Sequence, residues 1–123
     1  MMSEKAMSLV LARESGATLA EVGRRHGVSH QRVASVMRHA TEFVDKVEMD
    51  LLVARKEDSL CAFVIPFGPD YSLAQQVADW LLRRLRARDL DLKVSTRRTP
   101  DGLLLVIEDV TPWAPWTKQK EEQ

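Results

Sequence analysis

Between Ala17 and His39 the chain carries four arginines (Arg24, Arg25, Arg32, Arg38), all three of its histidines (His26, His30, His39) and one acid, Glu21. Over the full 123 residues Lys plus Arg and Asp plus Glu balance at 18 each, so this bias is local. A cluster of cations and hydrogen-bonding groups suits holding a ligand rather than making or breaking a bond. Catalytic sets are missing elsewhere: there is no Gly-rich phosphate loop, no nucleophile elbow and no carboxylate pair in an apolar context. Asp70 and Tyr71 in GPDYS stand at a strand-to-helix turn, where active sites can sit, but one acid and one phenol do not make a mechanism. The histidine spacings converge with no cysteine or carboxylate pair, so no metal site and no cofactor is expected. Cys61 is the sole cysteine, which excludes a disulfide framework, and its neighbours Leu60, Ala62 and Phe63 predict a buried, inert thiol. The expectation is a protein that is not an enzyme.

The elements that position these residues follow from apolar spacing and breakers. Residues 3 to 15 predict a short amphipathic helix, with Ser3 as N-cap and Gly16 as stop. Thr18 with Glu21 forms a capping box for a second helix, which buries Leu19 and Val22 and ends at Gly27. Ser29 caps a third, with Val33, Val36, Met37 and Ala40 inward. No Gly or Pro occurs from Val28 to Ile65, so two readings stay open beyond residue 48. Val33, Met37, Ala40, Val44, Val47, Leu51 and Ala54 could form one long helix, its seam paired with another copy. Alternatively the helix stops near Glu48 and residues 51 to 55 form a strand hairpinned to the next. The apolar run Leu51 to Val53 tips the balance slightly toward the hairpin.

The second half is plainer. Leu60 to Phe67 is a buried strand, closed by Pro66, Gly68 and Pro69. Ser72 is expected to cap a helix, with Gln75 at the capping-box position, and that helix buries Leu73, Val77, Trp80, Leu81 and Leu85. Leu92 to Arg98 and Leu103 to Glu108 are strands about the turn TPDG. The fold class is therefore α+β: an N-terminal three-helix unit, then a small antiparallel sheet with one packed helix, βαββ or ββαββ. The division is residues 1–48, residues 49–116 and a charged tail, residues 117–123. Arg83, Arg84, Arg86 and Arg88 crowd the last turns of the helix, where its dipole favours cations; with Arg97 and Arg98 they could instead form a second nucleic-acid surface. Trp113 and Trp116 are expected to clamp onto the sheet of their own chain or to reach a partner subunit.

Gly23, Gly27 and the anchors Leu19, Val22, Val28, Val33 and Val36 have the spacing of a helix-turn-helix. The segment TLAEVGRRHGVSHQRVASVMRHA, residues 18 to 40, resembles the helix-turn-helix of DNA-binding regulators, especially the kind in region 4 of bacterial sigma factors. It departs at His26, where that pattern has an apolar residue, and the rest of the chain resembles no sigma factor. The resemblance implies double-stranded DNA as partner and a recognition helix that presents Ser29, His30, Gln31, Arg32, Ser35 and Arg38. Gln31 can offer a paired donor and acceptor to adenine, while Arg32 or Arg38 can fork onto guanine or hold a phosphate. Ser29 and the free amides at the helix start suit a backbone phosphate, and Arg24 and Arg25 the flanking backbone. Small Ala34 lets the helix sit deep or meet a thymine methyl.

The resulting expectation is a sequence-specific transcriptional regulator, a homodimer through its C-terminal part and a repressor similar in design to those of phages and plasmids. A small-terminase-like DNA recruitment protein is one rival. Another is an inhibitor or adaptor that acts on a protein partner and controls its own gene through the helix-turn-helix. A protein-binding or purely structural three-helix module is the bland reading. No stretch approaches transmembrane length and MMSEKAMSLV lacks the apolar run of a signal peptide, which predicts a soluble, cytoplasmic protein without a membrane partner.

Overall fold

Ser3, Thr18 and Ser29 each accept a backbone N–H from the residue three further on, all at 3.1 Å. A helix begins directly after each: α1 (Glu4–Glu14), α2 (Leu19–His26) and α3 (His30–Lys56). These side-chain oxygens satisfy amides that a helix start leaves free. There follow β1 (Cys61–Ile65), α4 (Tyr71–Arg86), β2 (Leu92–Thr99) and β3 (Gly102–Asp109). The computed structural model describes residues 2–67 and 71–112. The expectations for Asp70, Trp113, Trp116 and the charged tail fall on positions outside the described residues.

The architecture is α+β, four helices with a three-stranded antiparallel sheet in the order β1-β3-β2. The extra hairpin does not form: α3 runs unbroken for 27 residues and takes in the whole 51–55 segment. Leu51 and Ala54 are buried while Val53 is exposed, the spacing of a helix rather than a strand. The apolar run is an accident of composition, because the three- and four-residue steps continue through it. The helix stops where Asp58 takes a left-handed φ of 54° and Ser59 N–H donates back to the Ala54 carbonyl at 2.8 Å. The boundary expected between residues 48 and 49 falls inside this helix.

The long seam of α3 is spent within the chain. Val33, Ala40, Val44, Val47 and Leu51 are buried in one core with Val10 of α1, Val22 of α2, Trp80 of α4 and Ile107 of β3. A second copy therefore cannot use the seam as a coiled coil. Ring contacts extend the core, with Phe43 stacked on Trp80 at 6.4 Å and edge-on to Phe63 at 6.2 Å.

In the sheet, Cys61, Phe63 and Ile65 pair with Ile107, Leu105 and Leu103 on the face toward the helices. Cys61 is half-buried, not fully buried as expected, because β1 is an edge strand. Its burial, and then the charge of Asp50, push the thiol pKa up, which keeps it protonated at neutral pH. Ser72 lies inside the first turn of α4, which begins at Tyr71, and Gln75 donates to Asp79 at 3.0 Å.

Two members of the arginine run join elements. Arg84 pairs with Glu14 of α1, and Arg88 reaches Glu48 at 2.5 Å and Asp45 at 2.8 Å on α3. Arg55 ties the end of α3 to Asp109 at 3.3 Å and to the Thr111 carbonyl at 2.8 Å. Arg98 lies over the Tyr71 ring at 5.0 Å, and the Tyr71 hydroxyl donates to the Thr99 carbonyl at 2.6 Å. Arg83, Arg86 and Arg97 are exposed.

A helix and a strand over residues 51 to 55 predict different mutants. In a strand, positions 51 and 53 share a face and cost alike. We expect Leu51→Ala to lower the unfolding free energy by about 2–5 kcal/mol and Val53→Ala to change it by less than about 0.5 kcal/mol, both read by urea denaturation.

Candidate nucleic-acid interface

Helix α2 meets the start of α3 across a turn with two backbone requirements. Gly27 adopts φ 68° and ψ 32°, the left-handed conformation that closes a helix and that a Cβ disfavours. The chain then folds back so tightly that Val28 N–H donates to the Gly23 carbonyl at 2.9 Å. A Cβ on Gly23 would lie 2.6 Å from the Val28 carbonyl oxygen, closer than atoms can pack. Gly23 is thus the contact point of the two helices and Gly27 the corner between them. Beneath the turn Val22, Val33 and Val36 are buried, whereas Leu19 and Val28 are half-buried at its margin.

Of the expected residues, all but Ser35 are exposed. Ser29 caps α3 and is exposed, and His30, Gln31, Arg32 and Arg38 are exposed along its first three turns. Gln31, Ala34, Ser35 and Arg38 stand at i, i+3, i+4 and i+7, so they share the face opposite Val33, Val36 and Ala40. Ser35 is half-buried, the least accessible of the set. Arg24 and Arg25 are exposed in the last turn of α2. His26 is half-buried under the turn, which makes it part of the packing and accounts for a non-apolar residue at that position.

The acids of α3 add a feature that lies outside the motif. None occurs on this helix before Glu42, but Glu42, Asp45, Glu48 and Asp50 follow in quick succession. A 27-residue helix is about 40 Å long. Its first three turns, like its last, carry no carboxylate, and Glu42 stands one turn beyond Arg38. The signal was in the sequence, but it acquires meaning only once residues 30 to 56 are known to be one helix.

The other sequence features form no second centre. Among the described residues no group of three His, Cys, Asp or Glu side chains could hold a metal ion. The open groove beside Ala34 and Met37, about 450 Å³, also takes in Arg13, Glu14 and Arg84, and its carboxylate is already paired. No helix among the described residues is long and apolar enough to cross a membrane. Comparison with protein-family models, with curated proteins and with solved structures finds no match to this chain.

Substitutions in the turn separate its two glycines. Gly23→Ala should cost about 1–3 kcal/mol because backbone must move to admit the methyl group. Gly27→Ala should cost about 1–2 kcal/mol from its left-handed φ alone. Ser29→Ala should cost about 0.5–2 kcal/mol through removal of the cap. Urea titration of the three variants checks the values.

Proposed function

We propose that this chain is a sequence-specific DNA-binding transcriptional regulator, a cytoplasmic homodimeric repressor of the kind carried by phages and mobile elements, and a binding protein rather than an enzyme. One observation carries the reading: the Gly23–Gly27 corner leads into a helix whose face of Gln31, Ala34, Ser35 and Arg38 carries no carboxylate and is exposed at all but Ser35. In this mechanism the first three turns of α3 enter the major groove. Gln31 pairs with an adenine edge, and Arg38 or Arg32 forks onto guanine or grips a phosphate. Ser29, His30 and the free amides at the start of α3 face the backbone on one side, and Arg24 and Arg25 hold it on the other. Glu42, one turn beyond Arg38 and without an ion partner among the described residues, limits the phosphate contact to the start of α3. Two copies on paired half-sites about 34 Å apart give the specificity that one small unit lacks, and the bound dimer occludes a promoter.

Selection from a random-sequence duplex pool at fixed salt tests this. The wild type should enrich one inverted repeat, and Gln31→Ala/Arg38→Ala should lose that enrichment. An unselected pool would sink the proposal and turn the search toward protein partners. In contrast, Arg24→Gln/Arg25→Gln should weaken binding evenly across sequences and reduce the slope of log affinity against log salt by about 1 for each phosphate no longer held.

A further inference from the structure

We propose that the dimer forms through the free edge of β1, which pairs antiparallel with β1 of a second copy and joins two three-stranded sheets into one of six strands. The inference rests on the dimeric part of the reading above, and its test does not use DNA.

The sheet has two edges of opposite character. β2 carries Lys93, Arg97 and Arg98, all exposed, the charged guard that keeps an edge from pairing with another chain. β1, at the other edge, has no such guard: from Leu60 to Phe67 there is no charged residue. Among the described residues, β1 makes no backbone hydrogen bonds except those to β3. Every second residue of β1 therefore turns an unpaired N–H and C=O outward.

Exposed apolar side chains gather at the same edge. Leu60 is 59% exposed, and Val64 is also exposed. Ala62 and Val64 stand on the open face of the sheet beside Val106 and Leu104, and that face turns polar only at β2, with Ser95 and Arg97. On the helix side α3 packs against β1, with Phe43 edge-on to Phe63, and its second half runs on from there. There Lys46, Met49, Asp50 and Val53 stand at i, i+3, i+4 and i+7 on one exposed strip, the methionine 59% exposed, and Asp45 and Lys56 are exposed as well.

A copy of this chain fits that edge better than another partner would. Antiparallel pairing of a strand with itself obeys a two-fold axis perpendicular to the sheet, which leaves both helix layers on one side. Pairing of five residues alone falls short of the roughly 1,000 Å² that a stable interface needs. The flanking Leu60, Val53 and Met49 supply further apolar area. Lys46 and Asp50, of opposite sign on one flank, offer a second copy a partner for each charge. The edge is apolar and net neutral, so it provides nothing to steer an acidic or basic peptide.

The test uses Ala62 and Val64, exposed and outside the core. One full-length variant carries Ala62→Lys/Val64→Lys and another Ala62→Glu/Val64→Glu; circular dichroism verifies that each is folded. By light scattering and sedimentation the wild type should be a dimer. Each variant alone should dissociate at least about tenfold more readily from like-charge repulsion across the strand pair, and an equimolar mixture should recover the dimer. On the unaltered protein, amide exchange of the outward β1 groups should slow as concentration brings about dimerisation, which keeps the test open if a variant misfolds. A monomeric wild type, variants that stay dimeric, a larger ring, or β1 exchange independent of concentration would each overturn the interface. A dimer that behaves as expected but enriches no DNA sequence leaves this interface standing and removes only the DNA reading.

Discussion

The buried side of α3 is the constraint on which the rest of the structure depends. From Val33 to Ala54 one helix supplies apolar residues first to the three-helix unit and then to the sheet layer. α3 touches α1, α2, α4, β1 and β3, so neither half can bury its apolar surface without it. Burial of such surface is the main favourable term in folding, at roughly 25 cal/mol per Å². A shared rigid helix in place of a linker fixes the direction of the Ser29–Arg38 surface relative to the sheet. Under the proposed function, the spacing between two DNA-reading surfaces is then set by how two sheets meet, not by a flexible hinge.

Charge is distributed according to the same division. Arg55, Arg84 and Arg88 reach between elements and find carboxylates on α1, α3 and β3. The more exposed pairs, those of Arg84 and Arg88, are worth little each, about 0–1 kcal/mol. Their value lies in orientation, because each fixes the angle at which α3 or α4 meets its neighbour. Arg24, Arg25, Arg32 and Arg38 have no such ion partner among the described residues.

Much of the fold was legible along the chain because the signals are local. A hydroxyl three residues ahead of the amide it caps, a glycine where φ must be positive, and alternation about a tight turn are decided within a few residues. Ser3, Thr18, Ser29, Gly27 and the β2–β3 hairpin follow from such rules. Where two local signals conflict, the rules fail. Leu51 to Val53 suits a buried strand by composition and a helix by its three- and four-residue steps. What decides is the presence of α1, α4 and β3 against the helical stripe, which no short window contains. Ser72 misled for a smaller reason: a helix start needs the right backbone as well as the right hydroxyl, and here the helix had already begun at Tyr71.

The sequence by itself determined the α+β class, the caps, the corner at Gly23 and Gly27 and the chemical identity of the exposed strip, since each depends on residue type and short spacing. Only the tertiary structure decided three other features: that α3 is one helix whose buried seam is spent within its own chain, that two of the four arginines from Arg83 to Arg88 tie elements together, and that β1 is left as an uncharged edge. Each of these depends on what lies beside a residue rather than before or after it. Strand order, the far side of a helix and the partner of a charge are set by contacts between distant segments, and a linear pattern does not encode them.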